Sequence, residues 1–457
     1  MSSFSNALYV VSLLFNLFFF FNFFLVRHHG MLTWTRKSAE EAEEVASIYC
    51  SGHGKAYLDG GLVSQGGKHV CECSLCYGGP DCSEILPSCP ANADGGDPLY
   101  LEPYWMQHEA SSAVTISGWH RMSYSFPESA FLSAELTKQI LKLHTSVGNA
   151  ITEGKFIVFG VGSTQLLHAS LYALSDDDRL LKPVNVVARA PYYPMYQAHA
   201  SMFKSRNFEW QGDASLWKNN ISNLNSTKSF IEIVTSPNNP DSNLREPVLQ
   251  GSNVKIMYDH AYYWPHYSAI PAPVNEELMI FTLSKIMGHA GSRFGWALIK
   301  DAMVYERMTT YLKLNTLGVS HETQVRALEL LKVVLEDEGK ALFEFGHKAI
   351  ADRWEKLNKI ISQSKRFSLQ KFSPQYCTYL QDVHRPSPAY AWLKCEMEEY
   401  QECHKVLEAA GIIGRPGGFF GVEDSYVRLT LLRSDDDFNL LLQRLENLVS
   451  KELIDII

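Results

Sequence analysis

Phe281 to Trp296 reads FTLSKIMGHAGSRFGW, and this stretch decides the fold. The apolar run Leu278, Met279, Ile280 and Phe281 is strand-like and ends in Thr282, Leu283, Ser284 and Lys285. A Gly-rich segment follows, and Arg293 stands eight residues after the lysine. A lysine just past a buried strand, flanked by hydroxyls and backed by an arginine, suits an aldehyde cofactor that also carries a phosphate. The amine forms a Schiff base, while hydroxyls and guanidinium take the phosphate. The competing reading is a surface lysine after a strand, so the flanking sequence has to arbitrate.

Outward from this segment, short apolar strands alternate with helical stretches. The strand candidates are Phe156 to Phe159, Val184 to Ala188, Ile231 to Thr235, Val254 to Tyr258, Met279 to Leu283 and Trp296 to Ile299. Such alternation predicts an α/β fold with a mostly parallel sheet and helices on both faces. Helical spacing runs through Phe131 to Ala150, and Val304 to Phe345 is largely helical. Tyr390 to Cys395 and Tyr426 to Leu432 read as strands, and Asp437 to Ile457 as an amphipathic helix. The second half is therefore a smaller α+β domain. The expected organisation is a membrane anchor or signal peptide (1–26), a polar stalk (27–49), a cysteine module (50–89), a joining segment (90–150), a large domain (151–330) and a small domain (331–457).

At 457 residues the chain exceeds one comfortable core, so about two to three domains are expected. The net charge of −9 leaves no basic footprint, which argues against nucleic acid as a partner. Leu8 to Val26 is almost wholly apolar and near the minimum length for a membrane-spanning helix. A signal peptide is the alternative. Six of the nine cysteines fall between residues 50 and 89: Cys50, Cys71, Cys73, Cys76, Cys82 and Cys89. A dense, even set in a Gly-rich stretch reads as a disulfide framework in an oxidising compartment, although Cys73 and Cys76 also have zinc-ligand spacing. The sequons at Asn220 and Asn225 agree with passage through the secretory pathway.

Each strand end of the sheet region delivers polar residues, where α/β sheets place their ligands. Gly160 to Gln165 (GVGSTQ) combines glycines with the hydroxyls of Ser163 and Thr164 ahead of a helix, a setting that attracts an anion; a plain strand-helix turn is the alternative. Tyr192 and Tyr193, held between Pro191 and Pro194, form a stiff platform suited to stacking of a flat ring; ordinary packing at a turn is the alternative. Asn239, in TSPNNP, can donate to a phenolate-like oxygen; an ordinary β-turn is the alternative. Asp259 ends a buried strand, where a carboxylate needs a cationic partner such as a protonated ring nitrogen; a strand-end aspartate capping a turn is the alternative, and Tyr262 lies three residues on. Arg428, between apolar strand residues, suits a substrate carboxylate or a structural salt bridge.

GVGSTQL, APYYP, TSPNNP, YDHAYYWPHY, FTLSKIMGHAGSRFGWALIKD and YVRLTLL occur in that order. Together they resemble the signatures of the plant alliinase and tryptophan aminotransferase-related family, from about Cys50 to near the C-terminus. That family belongs to the fold-type I pyridoxal-phosphate enzymes, and the cysteine module resembles its EGF-like domain. The resemblance implies pyridoxal 5′-phosphate as cofactor, no catalytic metal, and Lys285 as the Schiff-base lysine and proton shuttle. It implies that Asp259 pairs with the ring nitrogen, that Asn239 and Tyr262 bind the ring hydroxyl, and that Tyr193 stacks on the ring. Ser163, Thr164, Thr282 and Arg293 would hold the phosphate, with Gln165 also in the cofactor set. Tyr124 would reach the phosphate from the second subunit of a homodimer. Gly96 and Arg428 would bind the substrate, Arg428 through its α-carboxylate. The implied disulfides are Cys50–Cys71, Cys73–Cys82, Cys76–Cys89 and Cys395–Cys403, leaving Cys377 unpaired.

The resemblance leaves two reactions. One is transamination of a tryptophan-like L-amino acid with a 2-oxo acid acceptor, which we expect. The other is β-elimination from S-alkyl-L-cysteine sulfoxides, the carbon–sulfur lyase reaction. Gly95 stands where alliinases have a serine, which favours the first.

Overall fold

The computed structural model describes residues 15, 16, 18, 19, 44, 45, 47–58, 69–116, 118, 120–127, 130–175, 183–202, 204–218, 228–397 and 402–455. The sequons at Asn220 and Asn225 and most of the stalk lie outside them. So does the apolar segment Leu8 to Val26, apart from Phe15, Asn16, Phe18 and Phe19. Among the described residues no helix is long and apolar enough to cross a membrane, so the expected anchor gains no support. The chain divides into two units: the described residues of Met1–Cys73, Tyr77–Ile85 and Met106–Thr115, and those of Ser74–Cys76, Leu86–Trp105 and Ile116–Ile457.

In the first unit Gly54–Leu58 pairs antiparallel with His69–Cys73. Cys50–Cys71 and Cys73–Cys82 close this ribbon. A side chain at position 54 would place Cβ 2.5 Å from the Cys82 sulfur, so the bridge packs directly on glycine backbone. The second unit holds Cys76–Cys89 and Cys395–Cys403, while Cys377 is free and buried. All four implied pairs are formed. The zinc alternative is excluded for Cys73 and Cys76, because both sulfurs are in disulfides.

The second unit is built on a seven-stranded sheet. Its strands are β1 (Phe156–Val161), β2 (Val184–Ala188), β3 (Phe208–Asp213), β4 (Phe230–Thr235), β5 (Val254–Asp259), β6 (Leu278–Thr282) and β7 (Phe294–Ile299). They lie in the order β1-β7-β6-β5-β4-β2-β3. β7 runs antiparallel to both neighbours, and the other pairings are parallel. The expected mostly parallel sheet is therefore present.

Side chains alternate across each strand, so a strand buried on both faces feeds two cores. In β6, Met279 and Phe281 join one apolar cluster, and Leu278 and Ile280 join the other. Helices α1 (Ala134–Val147) and α6 (His321–Leu335) cover the first face through residues such as Ile140 and Leu330. Helices α2 (Gly162–Ser175), α3 (Met195–Met202) and α5 (Ala302–Thr316) cover the second through Leu171, Tyr196 and Met308. A short helix α4 (Leu283–Ile286) links β6 towards β7.

Val304 to Phe345, expected to be largely helical, spans three helices: α5, α6 and the start of α7 (Lys340–Ile361). Gly318 and Gly339, at φ +89°, mark both breaks, as expected for a residue free to enter the left-handed region. A four-stranded antiparallel sheet follows: β8 (Phe367–Leu369), β9 (Tyr390–Cys395), β10 (Arg415–Pro416) and β11 (Tyr426–Thr430), in the order β8-β9-β11-β10. Helix α8 (Asp435–Asp455) closes the chain.

Candidate active site

The carboxyl ends of β1, β4, β5 and β6 meet at one edge of the sheet. Because β7 is antiparallel, its first residues return to that edge, carrying Arg293 with them. A cavity of about 280 Å³ opens there. Ser163, Thr164, Tyr193, Asn239, Asp259, Tyr262, Thr282, Lys285 and Arg293 line it, joined by Gly96 and Arg428. The structure thus brings together eleven of the residues singled out in the sequence.

Two others stand elsewhere. Tyr124 is 75% exposed and does not line the cavity. The Gln165 side chain turns away: its Oε1 accepts from the Val161 N–H, and its Nε2 donates to Asn315 and Thr316. It pins the end of β1 rather than reaching the cavity. Ser163 and Thr164 are not in a loop, as expected, but in the first turn of α2. Gly162 adopts φ +70° and starts the helix early, so free backbone N–H groups and both hydroxyls share one turn.

Lys285 lies in α4, whose N-cap is Thr282; the Thr282 hydroxyl accepts from the Ser284 N–H at 3.2 Å. The lysine Nζ donates to the Gly96 carbonyl and sits 5.8 Å from the Tyr262 ring centre. At the far end Arg293 donates to the Thr164 hydroxyl at 3.4 Å and to the Ala290 carbonyl at 2.9 Å. A Cβ on Gly162 would lie 2.5 Å from the Arg293 guanidinium, so arginine and helix start are in direct apposition.

Asp259 is 6% exposed and held by neutral donors: the Tyr196 hydroxyl at 2.9 Å and the Ala261 N–H at 3.1 Å. Burial raises its pKa, partly opposed by the Tyr196 hydrogen bond. A carboxylate so placed is completed by a cation. Tyr196 also bonds the Thr235 hydroxyl at 2.6 Å, which fixes its direction. The sequence reading missed this support, and a tyrosine in a helix after a strand gave no signal of it.

The substrate side is densely polar. Arg428, 2% exposed, donates from one nitrogen to Asn239 Oδ1 at 3.0 Å and from the other to the Asp94 carbonyl. Its Nε is buried without a hydrogen-bond partner among the described residues. Its guanidinium stacks 4.2 Å from the Tyr390 ring centre, and the Tyr390 hydroxyl bonds that of Tyr262 at 2.6 Å. Tyr390, Arg415 and Asp97 also line the cavity and were missed in the sequence. Tyr390 reads there only as a strand residue.

These groups fit pyridoxal 5′-phosphate. Asp259, buried and held by neutral donors, would take the ring nitrogen, Lys285 would take the aldehyde, and the start of α2 with its hydroxyls and Arg293 would take the phosphate.

The comparisons with known proteins agree. The family model described as Allinase matches residues 91–449, and that of the alliinase EGF-like domain matches residues 33–89. Tryptophan aminotransferase-related protein 3 of Arabidopsis thaliana is 52% identical over 423 residues, spanning 92% of each chain. Alliin lyase 1 of Allium sativum is 44% identical over 440 residues, spanning 93% of this chain and 89% of the lyase. Aspartate aminotransferase from Rhizobium meliloti is similar in fold, with a TM-score of 0.57 at 15% identity over 79% of this chain and 92% of that one. The chain belongs to the alliinase and tryptophan aminotransferase-related family of fold-type I pyridoxal-phosphate enzymes.

Proposed function

We propose that this protein is an aminotransferase that takes the amino group of a tryptophan-like L-amino acid and passes it to a 2-oxo acid. The observation that carries the reading is the convergence of Lys285 Nζ, Asp259 and the Arg428–Asn239 pair in one cavity. Bound pyridoxal 5′-phosphate supplies the electron sink that makes the Cα proton of an amino acid removable. Arg428 binds the α-carboxylate, for which its free Nε is ready, and so orients the Cα–H bond. Lys285 Nζ removes that proton and holds it for delivery to an atom other than Cα, as transamination requires. Asn239 Oδ1 accepts from Arg428, which leaves its Nδ2–H to donate to a ring oxygen, a role Tyr262 would share. Asp259 would hold the ring nitrogen in its charged form, and Tyr193 would cover the ring.

Transamination is preferred because the aminotransferase-related relative shares more sequence than the alliin lyase does. Glycine at position 95 agrees: it offers no hydroxyl to a substrate. The lyase reaction remains the second reading, supported by the similarity to the alliin lyase.

Tyr124 is exposed outside the cavity, which supports a homodimer in which it serves the partner's phosphate site. Four disulfides support folding in the secretory pathway. The test is incubation of purified protein with tryptophan plus pyruvate, and separately with an S-alkyl cysteine sulfoxide. The keto acid of tryptophan is expected. Pyruvate and ammonia from the sulfoxide, with no keto acid from tryptophan, would reverse the assignment.

A further inference from the structure

Two arginines line the substrate side of the cavity, and they are not independent. Arg415 in β10 is the directly paired residue of Arg428 in β11. Directly paired residues of an antiparallel ladder send their side chains to the same face. The site therefore holds two guanidiniums side by side, enough for two carboxylates.

One of those places is already taken by the protein. Arg415 grips Asp94 with two hydrogen bonds, Nε to Oδ1 at 2.6 Å and Nη2 to Oδ2 at 2.9 Å. The same carboxylate lies 3.6 Å from the Arg428 Nη2. Asp94 is not a loose surface residue. The Ala93 N–H donates to the Ile413 carbonyl, and the Ala93 carbonyl accepts from the Thr430 N–H, so the backbone just before it is tied on both sides. The Asp94 N–H donates to the Asn92 side chain at 3.1 Å. The carboxylate is thus delivered to Arg415 by a rigid segment, while the Nε of Arg428 stays open.

We propose that Asp94 is a specificity determinant: it occupies the second carboxylate place, on Arg415, and confines the site to substrates that carry a single carboxylate. This inference rests on the reading of Arg428 as the α-carboxylate clamp. An acidic side chain or the distal carboxylate of a diacid meets a guanidinium whose Nε–Nη2 edge is already engaged by Asp94, next to a fixed negative charge. An aromatic or aliphatic side chain meets no such conflict.

The experiment compares pentanoate with glutarate, which differ only in a methyl or a carboxylate at the far end. Binding to the cofactor-loaded enzyme is measured by calorimetry for the parent protein, D94A, D94N, D94A/R415Q and R428Q. The parent is expected to bind pentanoate more tightly than glutarate. D94A and D94N are expected to gain about tenfold or more in glutarate affinity, the scale of one charge-assisted bidentate pair. D94A/R415Q is expected to lose that gain. D94N keeps the side-chain volume, so a gain seen in D94A alone would point to space rather than charge and overturn the proposal. So would glutarate affinity within about twofold of the parent in both single variants, or a gain that survives R415Q. Thermal melting checks that each variant is folded. Failure of the underlying reading looks different: pentanoate then binds R428Q as well as it binds the parent, or does not bind the parent.

Discussion

Replacing Asp259 by asparagine should push the stability of the empty and the loaded enzyme in opposite directions. The side chain is almost fully buried, and burial raises its pKa, so the charged form is the disfavoured one in the empty protein. A carboxylate whose folded pKa exceeds its unfolded value lowers stability at pH values above that unfolded pKa. Asparagine removes that cost without losing bonds. Its Oδ1 still accepts from Ala261, and its amide donates to Tyr196, whose own O–H then turns from residue 259 to the Thr235 hydroxyl. The empty variant is therefore expected to be as stable as the parent or more so at pH 7.

With cofactor the sign reverses. One charged hydrogen bond to the ring nitrogen is lost, about 1.5–3 kcal/mol, or roughly a 10- to 150-fold weaker affinity. At saturating cofactor a hundredfold loss removes about 2.7 kcal/mol of ligand-derived stabilisation. The assay is thermal or urea unfolding of apo and loaded protein, with a cofactor titration followed by absorbance. Destabilisation of apo D259N by more than about 1 kcal/mol, or cofactor affinity within about twofold of the parent, would refute the assigned role of Asp259.

Three further outcomes are expected. Lys285→Ala should lower turnover by about a thousandfold or more while circular dichroism is unchanged; retained initial rates would remove Lys285 from the mechanism. Gly162→Ala forces a Cβ against Arg293 at φ +70°, and should cost about 1–3 kcal/mol of stability and weaken cofactor binding, read by melting and titration. His144 is buried between an acceptor and a donor, Asn149 Oδ1 at 2.8 Å and the Trp296 indole N–H at 2.9 Å, so it is fixed as the neutral ring. Burial pushes its pKa down to about 4, below the unfolded value of 6.5. Stability is thus expected to be full above about pH 6.5 and to fall towards pH 4, by up to about 3 kcal/mol from this group, with a flatter profile in H144Q by urea unfolding.

The sheet was legible where both faces of a strand are covered. β6 and β7 are continuous apolar runs because each feeds two cores. The edge strand β3, FEWQGD, was not foreseen, since only Phe208 in it is buried and its polarity matches a loop. In the site, residues at the ends of long strands declared themselves, because a buried strand followed by Asp259 or Lys285 breaks an apolar pattern. Arg415 did not: it sits in a two-residue strand beside a proline, too short for any periodicity. Asp94 meets Arg415 across 321 residues of sequence, and Tyr390 meets Arg428 across 38 (428 − 390), and no local pattern encodes such meetings. Gln165 shows the converse, a polar residue in a ligand-like motif whose side chain serves the backbone of its own strand.

Lys285 and Arg293 ride on one connection, closed at its base where Thr282 pairs with Gly295. On the proposed roles, the two ends of the cofactor would be gauged by a single length of chain, not by two loops free to drift apart. An inserted or deleted residue between positions 283 and 293 shifts amine and guanidinium relative to each other, and no adjustment elsewhere along the sheet edge restores their spacing. Changes of length that alter substrate choice without unseating the cofactor have to fall on other connections, such as the segment bearing Asp94 and Gly95.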